Sequence, residues 1–346
     1  MDSYDILSMT LDEAVSCFAE LSLPAFRARQ VYTWMYKGVL YDEMTNIPVT
    51  LRKTLSEKCP IRLPKIKRKL VSKVDGTVKY LFELIDFQTI ESVVMKYEHG
   101  YSICVSSQAG CRMGCGFCAS TLRGLERNLL PSEILGQIIM AQKDLGIRIS
   151  NVVMMGIGEP LDNFDNVIKF LQLVNSPDGL GIGYRHISLS TCGIVDKIKK
   201  LSEYDFPITL SISLHFTDNE SRSRIMPVNK KYPIEELLRA CSDYFRKTGR
   251  RISFEYTLIK GENDSKENAH ALASLLKRYM GVGTPVHVNL ISVNEVKERG
   301  MRSISKNGVK EFCDMLNSLN INATVRRTLG PDINASCGQL RLNEGN

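Results

Sequence analysis

No run of 18 or more apolar residues occurs in the 346-residue chain, so nothing in it reads as a bilayer-crossing helix. Low-complexity tracts and internal repeats are missing too. With 43% hydrophobic and 24% charged residues, the composition excludes the collagen-like and disordered classes. The opening Met1-Asp2-Ser3-Tyr4-Asp5 is acidic and has neither the basic nor the apolar region of a secretory signal. A cytoplasmic protein with no membrane partner is therefore expected. Acidic residues are not in excess: 45 Lys and Arg against 38 Asp and Glu leave a formal net charge of +7. So mild a surplus fits an acidic partner such as RNA without requiring one.

What the chain does have is length and cysteine. Its size suits two domains, or one large α/β barrel with an added piece, and a core that needs no disulfide staples. In a reducing compartment, clustered members of the ten cysteines point to metal binding or catalysis. Cys104, Cys111, Cys115, Cys118 and Cys337 draw attention. Cys17, Cys59, Cys192, Cys241 and Cys313 are scattered and read as small buried hydrophobes.

Helical patterns fill the first stretch. Thr10 and Glu13 form a capping box, Leu11, Ala14, Phe18 and Leu21 follow at helical spacing, and further helices are expected over Phe26–Tyr36 and Val49–Lys58. Arg27, Arg29, Lys37, Arg52 and Lys53 on them could face phosphate or simply solvent. Asp75-Gly76 between Lys65–Val74 and Thr77–Leu84 predicts a hairpin with a lysine-rich first arm, followed by extended runs Thr89–Tyr97 and Tyr101–Ser107. Strands and helices then alternate. The strands are Ile149–Met155, His186–Thr191, Ile208–Leu214, Ile252–Leu258, Val286–Ile291 and Ala323–Arg327; helices between them include 132–145, 163–174, 233–247, 266–279 and 305–316. Such alternation predicts βαβ units and a parallel sheet. Polar and glycine-rich residues gather where these strands end, which in a parallel barrel is a single face and the usual place of an active site.

Cys111-Arg112-Met113-Gly114-Cys115-Gly116-Phe117-Cys118 places three thiols on one short loop. A structural zinc wants four ligands, commonly as two separated pairs, and no second pair exists; only Cys104 or His99 is near enough in sequence to be a fourth. An iron–sulfur cluster held by three cysteines would leave one iron open to a substrate. Spacing alone leaves both possible.

Cys-x3-Cys-x2-Cys with an aromatic before the last cysteine resembles the signature of the radical S-adenosylmethionine (SAM) superfamily. Ser106-Ser107-Gln108-Ala109-Gly110-Cys111, Gly156–Pro160, Leu189-Ser190-Thr191, Ser213-Leu214-His215 and Cys337-Gly338-Gln339-Leu340 narrow the resemblance to its RlmN/Cfr family of RNA methyltransferases. The likeness spans essentially the whole chain. It implies an α/β fold, a partial (β/α)6 radical SAM barrel over 99–346, preceded by a helical accessory domain over 1–62 and a β-hairpin extension over 63–98. It further implies a [4Fe–4S] cluster on Cys111, Cys115 and Cys118, whose open iron chelates SAM. Gly158, Glu159, Ser190, Ser213, Leu214, His215 and Asn294 would contact SAM.

By the same resemblance Cys337 would carry the methyl group, Cys104 would resolve the covalent enzyme–RNA intermediate through a transient disulfide, and Glu91 would accept the ring proton. Two SAM molecules would be used per product. The implied substrates are adenines of 23S rRNA and tRNA, methylated at carbon 2, and the implied partner is an electron donor of flavodoxin type serving a monomer. Ala109 and Pro160 favour this branch over Cfr-like methylation at carbon 8, which confers antibiotic resistance. A zinc-stabilised RNA-binding module without catalysis is the reading from another class. Three positions depart from the family pattern: Asn334 where an aspartate is usual, Cys192 for a serine, and Glu295 where a proline is common.

Overall fold

The computed structural model describes residues 4–294, 300–336 and 339–340; Cys337, Gly338 and Glu295 lie outside them. Three helices come first: α1 (Leu11–Glu20), α2 (Ala25–Met35) and α3 (Val49–Lys58). The capping box is present, with the Thr10 N–H donating to Glu13 at 2.7 Å and the Glu13 N–H to the Thr10 hydroxyl at 3.3 Å. Leu11, Ala14 and Phe18 are buried on one face of α1, as their spacing requires.

The rest of the chain builds one sheet of ten strands: β1 (Lys65–Val71), β2 (Val78–Glu83), β3 (Thr89–Tyr97), β4 (Gly100–Cys104), β7 (Ile149–Met154), β8 (Ile187–Thr191), β9 (Thr209–Ser213), β10 (Ile252–Leu258), β11 (His287–Ser292) and β12 (Asn322–Val325), in that spatial order. A separate pair, β5 (Gln108–Gly110) and β6 (Leu125–Asn128), brackets the cysteine loop and was not expected. From β1 to β4 the pairing is antiparallel, and from β4 to β12 it is parallel throughout. The expected hairpin therefore does not stand apart; it widens the same sheet.

Helices return the chain between parallel strands: α4 (Pro131–Leu145), α5 (Phe164–Asn175), α6 (Val195–Leu201), α7 (Asn219–Ile225), α8 (Ile234–Thr248), α9 (Lys266–Met280) and α10 (Lys306–Ser318). That makes six βα units, with β12 as a further strand. Interior strands such as β10 are buried along their whole length, as helix-covered parallel strands must be. The two outermost strands, β1 and β12, do not pair. Instead the segment after β12 meets the turn after β1: Ser72 donates to Asp332 at 2.6 Å and the Gly330 N–H to Asp75 at 2.9 Å. A loop, not a ladder, closes that side.

Candidate active site

All seven parallel strands end on one edge, and there the structure opens a cleft. Cys111, Cys115, Cys118, Gly158, Glu159, Ser190, Ser213, His215 and Asn294 all line it. The sequence-predicted convergence of strand ends is thus seen for nine of the twelve candidate residues that lie among the described ones.

The cysteine loop is tied down by backbone bonds. The Cys111 N–H donates to the Gly124 carbonyl at 2.8 Å and the Gly116 N–H to the Ile225 carbonyl at 2.8 Å. The Thr121 hydroxyl donates to the Cys118 carbonyl at 3.0 Å. Burial, then Glu159 and the neighbouring Cys118, push the Cys111 thiol up to about 12, and burial pushes Cys115 up as well. Such burial means that Cys111 and Cys115 become thiolates most readily beside positive charge. Among the described residues no three His, Cys, Asp or Glu side chains are arranged to share a single metal ion. A soft, three-thiolate donor set on one cleft wall fits an iron–sulfur cluster better than a zinc ion.

Gly156 and Gly158 answer a packing demand. A Cβ on Gly156 would sit 2.6 Å from the Val105 carbonyl, and one on Gly158 would sit 2.6 Å from the Gln108 Cβ, with φ at +105°. The loop after β7 is pressed against the chain entering the cysteine loop, so no side chain fits between them. Glu159, fully enclosed, accepts from the Leu161 N–H at 3.0 Å and from the Cys192 N–H at 2.8 Å. Burial raises its pKa while these bonds oppose the rise. Its carboxylate therefore fastens the β7 loop to the β8 loop as well as facing the cleft.

At the end of β9 the candidates divide. Ser213 lines the cleft, whereas the Leu214 side chain is fully buried in the main core and can meet a ligand only through its backbone. His215 adopts φ +59°. Its Nδ1 accepts from the Thr257 N–H at 3.0 Å, so Nε2 carries the proton. Burial first, then the nearby Arg222, lower its pKa to about 3. The Phe117 ring meets it edge-on at 4.8 Å between centroids, joining the cysteine loop to β9.

Glu91 and Cys104 are not among the cleft-lining residues. Val93 pairs with Cys104 across β3 and β4, so strand alternation puts Glu91 and Cys104 on the same sheet face. The Lys79 ammonium lies 2.8 Å from the Glu91 carboxylate and donates to the Asn334 carbonyl at 3.1 Å, at the foot of the segment leading to Cys337. Two of the arginines that could face phosphate or solvent bind backbone instead: Arg52 donates to the Ile47 and Asp42 carbonyls and Arg27 to that of Asn46.

Sequence reading missed Glu255. Buried on β10, it accepts from Asn289 at 2.8 Å and pairs with Arg326 at 3.5 Å, and both Glu255 and Arg326 line the cleft. A lone carboxylate in an otherwise apolar and weakly polar strand was the available signal.

Residues 105–273 match the radical SAM superfamily, and residues 4–61 match the ribosomal RNA large subunit methyltransferase N-terminal domain. A protein of Clostridium novyi named "Probable dual-specificity RNA methyltransferase RlmN" is 52% identical over 341 residues, 98% of each chain. One of the same name from Alkaliphilus metalliredigens is 50% identical over 342 residues, 99% of this chain and 96% of its own. The crystal structure of a radical SAM methyltransferase from Sphaerobacter thermophilus superposes with a TM-score of 0.93 at 39% identity, covering 98% of this chain and 100% of that one. The chain belongs to the RlmN family of radical SAM methyltransferases. Membership makes it an RNA-methylating enzyme whose cofactors are a [4Fe–4S] cluster and SAM, and it disfavours both the Cfr-like and the zinc readings. No helix among the described residues is long and apolar enough to cross a membrane.

Proposed function

We propose that this RlmN-family enzyme methylates carbon 2 of adenine in 23S rRNA and in tRNA, in the cytoplasm, as a monomer served by a flavodoxin-type electron donor. The observation that carries the reading is full-length similarity to relatives named as dual-specificity RNA methyltransferases. Cys111, Cys115 and Cys118 hold the cluster. Gly158, Glu159, Ser190, Ser213, His215 and Asn294 contact SAM, with Leu214 contributing backbone alone. When bound, cluster and SAM supply the one-electron chemistry that lets a methyl carbon bond to an electron-poor ring carbon.

The chain's own residues supply the remainder. Cys337 carries the methyl group to the adenine, and Glu91 accepts the proton lost from the ring. The Cys104 thiolate then attacks the Cys337 sulfur; an S–S bond forms as the bond from that sulfur to the transferred carbon breaks, the carbon keeps the bonding pair and takes up a proton to become the methyl group, and product leaves. The shared sheet face of Glu91 and Cys104 supports this division of labour, as does the Lys79 bridge from Glu91 to Asn334. Helices α1–α3, within the accessory domain 1–62, and the lysines of β1 grip folded RNA through its phosphates.

Replacing Cys104 tests the scheme. Cys104→Ala, incubated anaerobically with RNA, SAM and reductant, accumulates a covalent protein–RNA adduct; free turnover by that variant overturns the resolving role. Mass mapping of the wild-type product shows 2-methyladenosine in both RNAs, and methylation at carbon 8 alone would overturn the substrate assignment.

A further inference from the structure

Arg222, on α7, is a fully buried side chain, and every partner of its guanidinium is neutral. Nε donates to the Leu214 carbonyl at 3.1 Å, Nη1 to Asn229 Oδ1 at 2.9 Å, and Nη2 to the carbonyls of Cys192 at 2.7 Å and Ser213 at 3.0 Å. Among the described residues no carboxylate pairs with it; Glu159 is tied to it only through the backbone of Cys192. A guanidinium does not shed its proton, and a buried cation without an anion is costly.

The position suggests where the anion comes from. Cys192 and Ser213, whose carbonyls the fork grips, line the cleft, and Cys192 shares an apolar cluster with Cys115 and Met226. Ile225, the last residue of α7, accepts the Gly116 N–H, inside the cysteine loop. Arg222 also acts electrostatically on the Cys115 thiol, favouring its charged form.

We propose that Arg222 is the fixed counter-charge of the cysteine-held cluster, a positioning residue that raises the cluster's reduction potential and favours its retention. The proposal rests on the assignment of Cys111, Cys115 and Cys118 as ligands. Three thiolates outweigh the charge of the oxidised cluster core, so the assembly is an anion and reduction adds to its charge. A cation held behind the ligands in a low-dielectric wall stabilises the reduced form more than the oxidised one.

Anaerobic redox titration followed by electron paramagnetic resonance, with iron content measured alongside, tests this. Arg222→Gln shifts the midpoint to more negative potential and loses iron faster, whereas Arg222→Lys, which keeps the charge but not the fork, stays near wild type. Asn229→Asp puts a carboxylate beside an intact guanidinium and lowers the potential as well, while Asn229→Ser does not. The two Asn229 variants decide the matter if Arg222→Gln fails to fold. An equal shift in the Gln and Lys variants, or none in Gln and Asp, overturns the proposal. Wild-type protein that binds no iron overturns the ligand assignment and this inference with it; iron-loaded wild type with a charge-insensitive potential overturns this inference alone.

Discussion

Glu159 and Arg222 grip the two ends of one residue: the carboxylate accepts the Cys192 N–H at 2.8 Å while the guanidinium donates to the Cys192 carbonyl at 2.7 Å. Opposite charges thereby meet through a stretch of backbone and lock the turn after β8 against the cleft. The bonds are made to the main chain, so Cys192 is replaceable where Glu159 is not. The Cys192 thiol adds a minor bond to Glu159 that a hydroxyl can reproduce. Cys192→Ser is expected to change stability by no more than about 1 kcal/mol and to leave SAM affinity intact. Glu159→Gln turns an amide NH2 toward backbone donors, and the loss expected is on the order of 2 kcal/mol of stability together with about tenfold in SAM affinity. Thermal unfolding and equilibrium SAM binding distinguish the two outcomes.

Gly156→Ala should be severe. The added methyl would stand 2.6 Å from the Val105 carbonyl oxygen and 2.7 Å from the Ser106 nitrogen, both backbone atoms that cannot swing away. Parting the two loops would unseat the Ser106 hydroxyl from the Glu91 carbonyl and the Ile157 N–H from that hydroxyl, bonds of 2.6 and 2.9 Å. A loss of about 3 kcal/mol or more is expected, measured as a fall in unfolding midpoint with iron content falling in parallel. Wild-type stability in the alanine variant would show that the loops have slack.

Acid sensitivity has an identifiable source in His215. Its pKa in the fold lies at about 3, down from 6.5, chiefly because it is buried. Between those values the unfolded chain binds a proton that the folded chain refuses, so stability falls as pH drops through this window, at up to about 1.4 kcal/mol per pH unit. Asparagine tolerates the left-handed backbone at this position and offers an oxygen where Nδ1 accepts from Thr257. His215→Asn should flatten the acid limb of a denaturant-midpoint profile recorded between pH 4 and 6.5. Equal slopes for variant and wild type would mean that the histidine ionises in place. Contributions common to both proteins cancel in the comparison.

The parts of this site that sequence made legible are those carried by neighbours in the chain. Three thiols in one loop, glycines after β7 and a Thr-x-x-Glu cap each announce themselves through local chemistry, and the Asp75-Gly76 turn lies where it was expected, between β1 and β2. Contacts between distant segments are silent at that level. Nothing around Arg222 distinguishes it from a solvated helix arginine until the carbonyls of Cys192, Ser213 and Leu214 are seen around it. Leu214, just past β9, shows the same silence from the other side: its motif position did not announce that its side chain is buried in the core. β5 and β6 are too short for any pattern, and their pairing is set by the loop that they bracket.

The longest-range of these silent contacts is a latch between the β1–β2 turn and the segment before Cys337. The Asp332 carboxylate accepts from the Ser72 hydroxyl at 2.6 Å and from the Lys73 N–H at 2.9 Å, Asp75 accepts from the Gly330 N–H at 2.9 Å, and Lys79 holds the Asn334 carbonyl at 3.1 Å. These hydrogen bonds hold both carboxyls below their ordinary value of 3.8, outweighing the partial burial of Asp75. The latch is therefore complete above that value and opens only as pH falls through the lower values that these carboxyls have in the fold. None of its residues lines the cleft at the strand ends. Asp332→Ala combined with Asp75→Ala is accordingly expected to leave SAM affinity within about twofold of wild type while RNA methylation falls by about tenfold or more, because the segment leading to Cys337, the proposed methyl carrier, loses its anchor. Equilibrium SAM binding and methyl transfer to RNA, measured on the same preparation, check this. Unchanged methyl transfer would mean that the anchor does not position Cys337, and a parallel loss of SAM binding would mean that the damage reaches the cleft itself.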